Sequence, residues 1–303
     1  MQSLTQHHPR SFGNFRYVYP VISRRSGGLS VGLNISPTAK CNFSCVYCQV
    51  LGELDEKMQN REPLPEDESV VKHPKNSPLI AIDVLETELR TIVKSALDGS
   101  LFVENFLSKA PPEKRFIKDI AFSGDGEPTL SAQFPEIAKR VIEIRKKLCP
   151  PETKIIVITN GTTLRNAYVK TTLRELILNN GEVWAKLDAG TEEYYKAVAR
   201  SAFPYGNILQ NLTETAKEIP LVIQTCFLSL HNVIPNKDEI KSYIERLNSI
   251  TESGGNILRI QIYTVARITP EPWVQPLEKE HLDAISEYVR TSTGLKTETY
   301  YSS

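Results

Sequence analysis

The strongest constraint on the fold is an alternation. Short apolar runs, rich in β-branched and aromatic residues, recur along the 303 residues with helical stretches between them. The runs are Leu33–Ile35, Phe116–Phe122, Ile155–Thr159, Val183–Leu187, Leu221–Leu228 and Ile257–Val265. Their length and β-branched content suit strands better than helices. Between them, apolar residues return every three or four positions, as in Leu85, Leu89, Ile92 and Ala96, in Phe134, Ile137, Val141, Ile144 and Leu148, and in Ile240, Tyr243, Ile244, Leu247 and Ile250. Leu173, Leu176 and Ile177 predict another helix, and Leu282, Ile285 and Val289 the last. Asp83 with Glu86 predicts a capping-box start for the first helix, and Gly99, Gly181 and Gly294 predict stops. Strand–helix alternation repeated about six times implies parallel strands with right-handed crossovers, in a doubly wound sheet or a partial barrel. In both, the ligand site is built just after the C-terminal ends of the strands.

Composition removes other classes. With 40% apolar and 24% charged residues the chain is an ordinary globular one, neither disordered nor coiled coil. No run approaches the length of about 18 apolar residues that a bilayer span needs, so no membrane partner is predicted. Lys+Arg 36 against Asp+Glu 36 leaves no global field for nucleic acid or anionic lipid. Five cysteines without a preceding apolar signal core do not make a disulfide scaffold, and the expected location is a reducing cytoplasm. The expected organisation is an N-terminal arm, 1–30, packed on a single core domain, 31–303. Residues 1–52 carry Arg10, Arg16, Arg24, Arg25 and Lys40 and no acid, whereas residues 53–71 carry seven acids against Lys57 and Arg61. The connection 49–78 is far longer than a usual βα loop, and it is predicted to meet the basic arm as a lid over the barrel mouth.

Three cysteines follow the first strand. Cys41, Cys45 and Cys48 have the spacing C-x3-C-x2-C, which lets three thiolates converge on one soft metal centre. A structural zinc site wants four ligands, and Cys149 and Cys226 stand outside the motif, reading as core or surface thiols. A disulfide among the three is disfavoured by compartment. Three thiolates leave one coordination position open, the mark of a reactive metal site.

Further motifs stand at the other strand ends. After the second strand comes Ser123-Gly124-Asp125-Gly126-Glu127-Pro128-Thr129, where the glycines permit a tight turn and close backbone approach and Pro128 blocks further pairing. The third strand ends Thr159-Asn160-Gly161-Thr162, the fourth reads Lys186-Leu187-Asp188-Ala189, and the sixth ends at Arg267. The cysteine spacing, with aromatic Tyr47 before the third cysteine, resembles the signature of the radical S-adenosylmethionine (SAM) enzymes. The Gly-Glu-Pro, Thr-Asn-Gly-Thr and Lys-Leu-Asp-Ala stretches are similar to those of the iron–sulfur oxidoreductase subgroup that includes the tRNA wyosine-synthesis enzymes. The resemblance covers roughly residues 31–267.

That resemblance implies an α/β fold, a partial (β/α)6 TIM-type barrel of parallel strands with outer helices. It implies one 4Fe–4S cluster held by Cys41, Cys45 and Cys48, with SAM on the fourth iron. Tyr47, Gly124, Gly126, Glu127 and Pro128 would shape the SAM pocket. Asn160 can hold a ribose hydroxyl or carboxylate, though Asn-Gly is also a plain turn. Lys186 and Asp188 alternate to the same side of their strand, as a ligand-facing pair or simply a buried ion pair. Arg267 could clamp a carboxylate or phosphate, or lie at the surface. The implied reaction is reductive SAM cleavage to a 5′-deoxyadenosyl radical that abstracts hydrogen, fed by an external one-electron donor such as flavodoxin or ferredoxin. No acid–base triad is expected. The substrate stays open between a small molecule, a protein site and RNA. No cysteine precedes Cys41, unlike in the archaeal tricycle-forming relatives, and no basic excess favours RNA. A wyosine-type tRNA enzyme, a non-catalytic electron-transfer iron–sulfur protein and a zinc-stabilised RNA-binding module are the alternatives.

Overall fold

The computed structural model describes residues 12–36, 41–48, 79–103 and 105–302. The predicted lid, 49–78, and the start of the basic arm lie outside the described residues. The chain divides into two compact units, each taken by itself.

The first unit holds residues up to 36, 79–158 and 166–183. Its strand β1, Val18–Ser23, pairs antiparallel with β2, Gly28–Leu33, through a turn closed by Gly27 at φ +76°. Then follow α1, Ile82–Leu97; β3, Ile117–Phe122; α2, Phe134–Leu148; β4, Lys154–Thr159; and α3, Ala167–Leu178. β3 runs parallel to both β2 and β4, with Leu33 opposite Phe122 and Phe122 opposite Val157. Of the apolar positions that predicted α1 and α2, all but Ala96 and Leu148 are buried. Leu85, Leu89 and Ile92 of α1 and Phe134, Ile137 and Val141 of α2 join Leu29, Val31, Leu33, Ile120 and Phe122 of the strands in the core. Phe122 and Phe134 meet edge to face at 5.3 Å.

The capping box at Asp83 does not form. The helix starts two residues earlier, with Ala81 at the N-cap and no capping side chain, and Asp83 sits inside the first turn. Glu86, expected to reach back, turns forward instead to Arg90 at 2.7 Å, the i,i+4 geometry of an ion pair. The helix ends before Gly99 at φ +83°, as predicted. Glu88, buried on α1, accepts the backbone N–H groups of Arg16, Tyr17 and Val18 at 2.8, 2.9 and 3.2 Å. Those donors precede or begin β1, so one carboxylate fixes where the chain enters the sheet.

Strand β5, Gly181–Lys186, crosses the division between the units. The second unit continues with α4, Glu192–Ala199; α5, Tyr205–Ala216; β6, Leu221–Cys226; β7, Leu228–Leu230; α6, Lys237–Glu252; β8, Ile257–Tyr263; β9, Val274–Pro276; α7, Lys279–Thr293; and β10, Thr297–Tyr300. β8 is parallel to β6 and to β10, while β7 and β9 form a separate antiparallel pair. The predicted run Leu221–Leu228 is therefore two strands. It breaks at Phe227, whose N–H binds the Tyr263 carbonyl and whose own carbonyl takes the Thr264 hydroxyl at 2.8 Å.

Hydrogen-bonded neighbours give the strand order β1-β2-β3-β4-β5-β6-β8-β10. Five of the predicted runs are β3, β4, β5, β6 and β8, while the first, Leu33–Ile35, shares only Leu33 with β2. A helix follows each strand along the chain, after β7 in the case of β6 and after β9 in the case of β8. This is the topology of a partial (β/α)6 barrel. Among the described residues no helix is long and apolar enough to cross a membrane.

Candidate metal centre and strand-end loops

The cysteine loop is held by the end of a helix. The last four carbonyls of an α-helix have no partner within it. At the C-terminus of α4, the carbonyls of Val198 and Ala199 accept the N–H groups of Val46 and Ser44, both at 2.9 Å. Arg200 ends the helix in the left-handed region at φ +47°, and the Ser201 hydroxyl donates to the Asn42 carbonyl at 2.8 Å. Side chains reinforce the dock. Val46 packs with Val198, Cys226, Leu228 and Val274, and the buried Phe43 ring meets Tyr195 edge to face at 5.7 Å. A turn closed by the Cys48 N–H on the Cys45 carbonyl brings the second and third cysteines close in space. Cys41, Cys45 and Cys48 are in no disulfide and are all half-buried.

Asn160, at the end of β4, tethers the other end of the loop. Its Nδ2 donates to Asn42 Oδ1 at 2.7 Å and to Cys41 Sγ at 3.7 Å, while its Oδ1 accepts from the Thr162 N–H and hydroxyl.

The end of β5 carries the charge. Lys186 and Asp188 point the same way, as their alternation predicted, with Nζ 3.4 Å from Oδ2. Asp188 also accepts the Tyr47 hydroxyl at 2.5 Å and the Cys226 N–H at 2.8 Å, so the aromatic residue of the cysteine motif is tied to β5 and β6 through one carboxylate. Lys186 donates to the Tyr263 hydroxyl at 2.5 Å and lies 4.8 and 5.2 Å from the ring centres of Tyr47 and Tyr263. Burial opposes its charge, but Asp188 and then Tyr263 outweigh that and hold the ammonium above its usual range. Burial first, and Asp188 second, push both the Cys45 thiol and the Tyr47 phenol well up. Without a cation on its sulfur, the Cys45 thiol stays protonated.

The turn beyond Lys186 is built by residues that the sequence reading did not single out. Glu239 of α6 accepts the Gly190 N–H at 2.5 Å and both the N–H and hydroxyl of Thr191. A Cβ on Gly190 would lie 2.1 Å from the Tyr243 nitrogen, so only glycine fits there.

The Gly-Asp-Gly-Glu-Pro turn belongs to the first unit. Asn34, also missed, clamps it. The Asn34 amide donates to Asp125 Oδ2 at 2.8 Å and accepts the Asp125 N–H at 3.2 Å. A Cβ on Gly124 would lie 2.5 Å from Asn34 Cα, and Gly126 takes φ +97°, so both glycines have a steric reason. Glu127 is buried, and its carboxylate caps the short 3₁₀ turn Pro128–Leu130 through the Thr129 N–H and hydroxyl. Only the asparagine after the first strand hinted at the clamp, because its partners lie 91 residues on. Elsewhere, Cys149 ends α2 with burial raising its thiol to about 11, Cys226 is fully buried, and Arg267 is half-buried.

The donor set has the chemistry of a soft metal or cluster site. Three cysteines outside any disulfide stand on one eight-residue loop, and Cys41 and Cys48 both act electrostatically on Cys45. Among the described residues no three His, Cys, Asp or Glu side chains already close around a point. Ligation would require each thiol to give up its proton, so metal binding here is coupled to deprotonation.

The strand order and the cysteine loop after the first parallel strand define a partial TIM-type barrel of the radical SAM kind. No family model matches the chain. It is similar to TYW1 with a lysine–pyruvate adduct bound, at 16% identity and TM-score 0.51, over 89% of this chain and 75% of that one. A spore photoproduct lyase variant with a dinucleoside spore photoproduct is similar at 9% identity and TM-score 0.52, over 86% and 74%. These likenesses establish the fold, and they agree with the resemblance carried by the motifs. Among sequence relatives, the UPF0026 protein MJ1312 of Methanocaldococcus jannaschii is 31% identical over 182 residues, 60% of this chain and 43% of that protein. The GTPase Obg of Brachyspira hyodysenteriae is 22% identical over 279 residues, 91% of this chain but 34% of that protein. The chain thus spans less than half the length of either curated relative.

Proposed function

We propose that the protein is a radical SAM enzyme working as one core domain, with an oxidoreductase chemistry in the cytoplasm. Cys41, Cys45 and Cys48 hold a single 4Fe–4S cluster, leaving one iron for SAM. The supporting observation is the cysteine loop itself, where three cysteines outside any disulfide stand on a turn that α4, Asn160 and Asp188 all hold in place. When bound, the cluster supplies the electron that cleaves SAM to methionine and a 5′-deoxyadenosyl radical, which abstracts hydrogen from the substrate.

The chain's own residues bind and orient. Gly124 and Gly126 keep a turn free of side chains so that its backbone can receive the SAM amino group. Glu127 and Pro128 fix that turn, and Tyr47, Asn160, Lys186 and Asp188 form the wall at the other strand ends. The tyrosine-flanked Lys186 is a fixed positive charge suited to a carboxylate. An external flavodoxin- or ferredoxin-like protein would deliver the electron.

The test is anaerobic reconstitution with iron and sulfide, followed by reduction in the presence of SAM. About four irons per chain, as one 4Fe–4S cluster requires, and 5′-deoxyadenosine are expected, both lost on replacing any of the three motif cysteines by Ala. A colourless zinc-loaded protein, or a full iron complement without 5′-deoxyadenosine, would overturn the reading.

A further inference from the structure

Asn160 has an unusual set of partners. It is 5% exposed, and two donors from Thr162 occupy its Oδ1, which turns Nδ2 toward the cysteine loop. There Nδ2 lies 3.7 Å from Cys41 Sγ, and the Phe43 N–H approaches the same sulfur at 3.4 Å. Three further amides of the loop are turned elsewhere. Those of Ser44, Val46 and Cys48 are spent on the carbonyls of Ala199, Val198 and Cys45. Two of these carbonyls form the negative end of the α4 dipole, which disfavours added negative charge beside it. Hydrogen bonds to cluster sulfurs tune reduction potential, because they stabilise the more negative, reduced state.

We propose that Asn160 is a positioning residue that raises the reduction potential of the cluster by donating to Cys41 Sγ, offsetting the α4 carbonyls. This rests on the iron–sulfur reading above. The step concerned is the one-electron reduction of the cluster, with the electron supplied by the flavodoxin- or ferredoxin-class donor in the cell and by dithionite or titanium(III) in the assay.

The experiment is a redox titration, followed by electron paramagnetic resonance, of the reconstituted wild type, Asn160→Ala, Asn160→Ser and Asn42→Ala. Compared at equal cluster content, Asn160→Ala should be reduced about tenfold less than wild type at a given potential, equivalent to a midpoint about 59 mV lower for a one-electron couple. Asn160→Ser keeps an oxygen for the Thr162 turn but loses Nδ2, so it should shift the same way even if the Ala variant fails to fold. Asn42→Ala leaves the Nδ2–Sγ contact in place and should keep the wild-type midpoint. A wild-type midpoint in the Ser variant, or an equal shift in Asn42→Ala, overturns the proposal, the second by tracing the effect to a loosened loop. Wild type that takes up no iron instead sinks the functional reading, whereas wild type that cleaves SAM beside an unshifted Asn160 variant sinks this proposal alone.

Discussion

Asp119, in the middle of β3, should make the protein less stable at neutral pH than in mild acid. It is 1% exposed, the Ser30 hydroxyl donates to its Oδ1 at 2.5 Å, and its Oδ2 is buried without a hydrogen-bond partner. Burial raises its carboxyl from 3.8 to about 6, against the smaller opposing effects of Ser26, Ser30 and Arg25. The folded state thus binds this proton more tightly than the unfolded chain does. The resulting stabilisation is complete below the unfolded value, declines as pH rises toward 6, and is gone above it. A shift of about 2 units corresponds to at most about 3 kcal/mol, of which roughly 1.4 kcal/mol is lost between pH 5 and 7.5. Asp119→Asn keeps an acceptor for Ser30 and removes the buried charge, so at pH 7.5 it should be more stable than wild type by about 1–3 kcal/mol. The gain should shrink toward zero near pH 4. Urea titrations followed by circular dichroism at the three pH values measure this. A variant that is less stable at pH 7.5, or a difference that does not change with pH, would refute the reasoning.

Glu88→Ala leaves the N–H groups of Arg16, Tyr17 and Val18 without their acceptor, and should cost about 3 kcal/mol, with amide exchange in β1 accelerating before the rest of the sheet. Gly126→Val forces a β-branched residue into φ +97°, and SAM affinity measured by calorimetry should fall while iron content holds. An unchanged affinity there would detach the Gly-Glu-Pro turn from SAM binding.

Much of this architecture is legible in local pattern, and what is missed has physical causes. The clearest parallel strands announce themselves as β-branched runs with both faces covered, as in β6, where every residue from Leu221 to Cys226 is buried. By contrast, β2, Gly28–Leu33, has only Val31 as a β-branched residue and is misplaced by the pattern. β1 is hidden by Pro20, which reads as a breaker but is tolerated near a sheet edge. α5 is hidden because its buried face includes Asn211 and Thr215, whose polarity interrupts the apolar period. β7 and β9 have three residues each, too few for any period to register. In the candidate site, Cys41, Cys45 and Cys48 could be found by spacing, and the Lys186–Asp188 pairing by alternation. Asn34, Gly190 and Glu239 could not, because each acts on a partner brought near only by folding.

The Lys186–Asp188 pair gives the sharpest test of how the cysteine loop is held. Both side chains are largely buried, at 15% and 7% exposure. Asp188→Ala would remove the acceptor of the Tyr47 hydroxyl and the Cys226 N–H, and leave the Lys186 ammonium buried without its counter-charge. Breaking such a pair on one side costs about 3–5 kcal/mol, largely because the surviving charge is stranded. Lys186→Met alone strands the carboxylate, although the Tyr47 and Cys226 donors still hold it, so its cost should be smaller. Replacing both charges removes the stranded ion, and the double variant should recover a large part of the loss from Asp188→Ala. Urea midpoints for the four proteins give the coupling energy, expected to be about 2 kcal/mol for groups in direct contact. Iron retention after desalting supplies a second readout. It should fall for Asp188→Ala and remain reduced in the double variant, because restoring charge balance does not restore the acceptor for Tyr47. Additive stabilities would mean that the two charges do not support one another. Full iron retention in Asp188→Ala would mean that this carboxylate does not hold the loop.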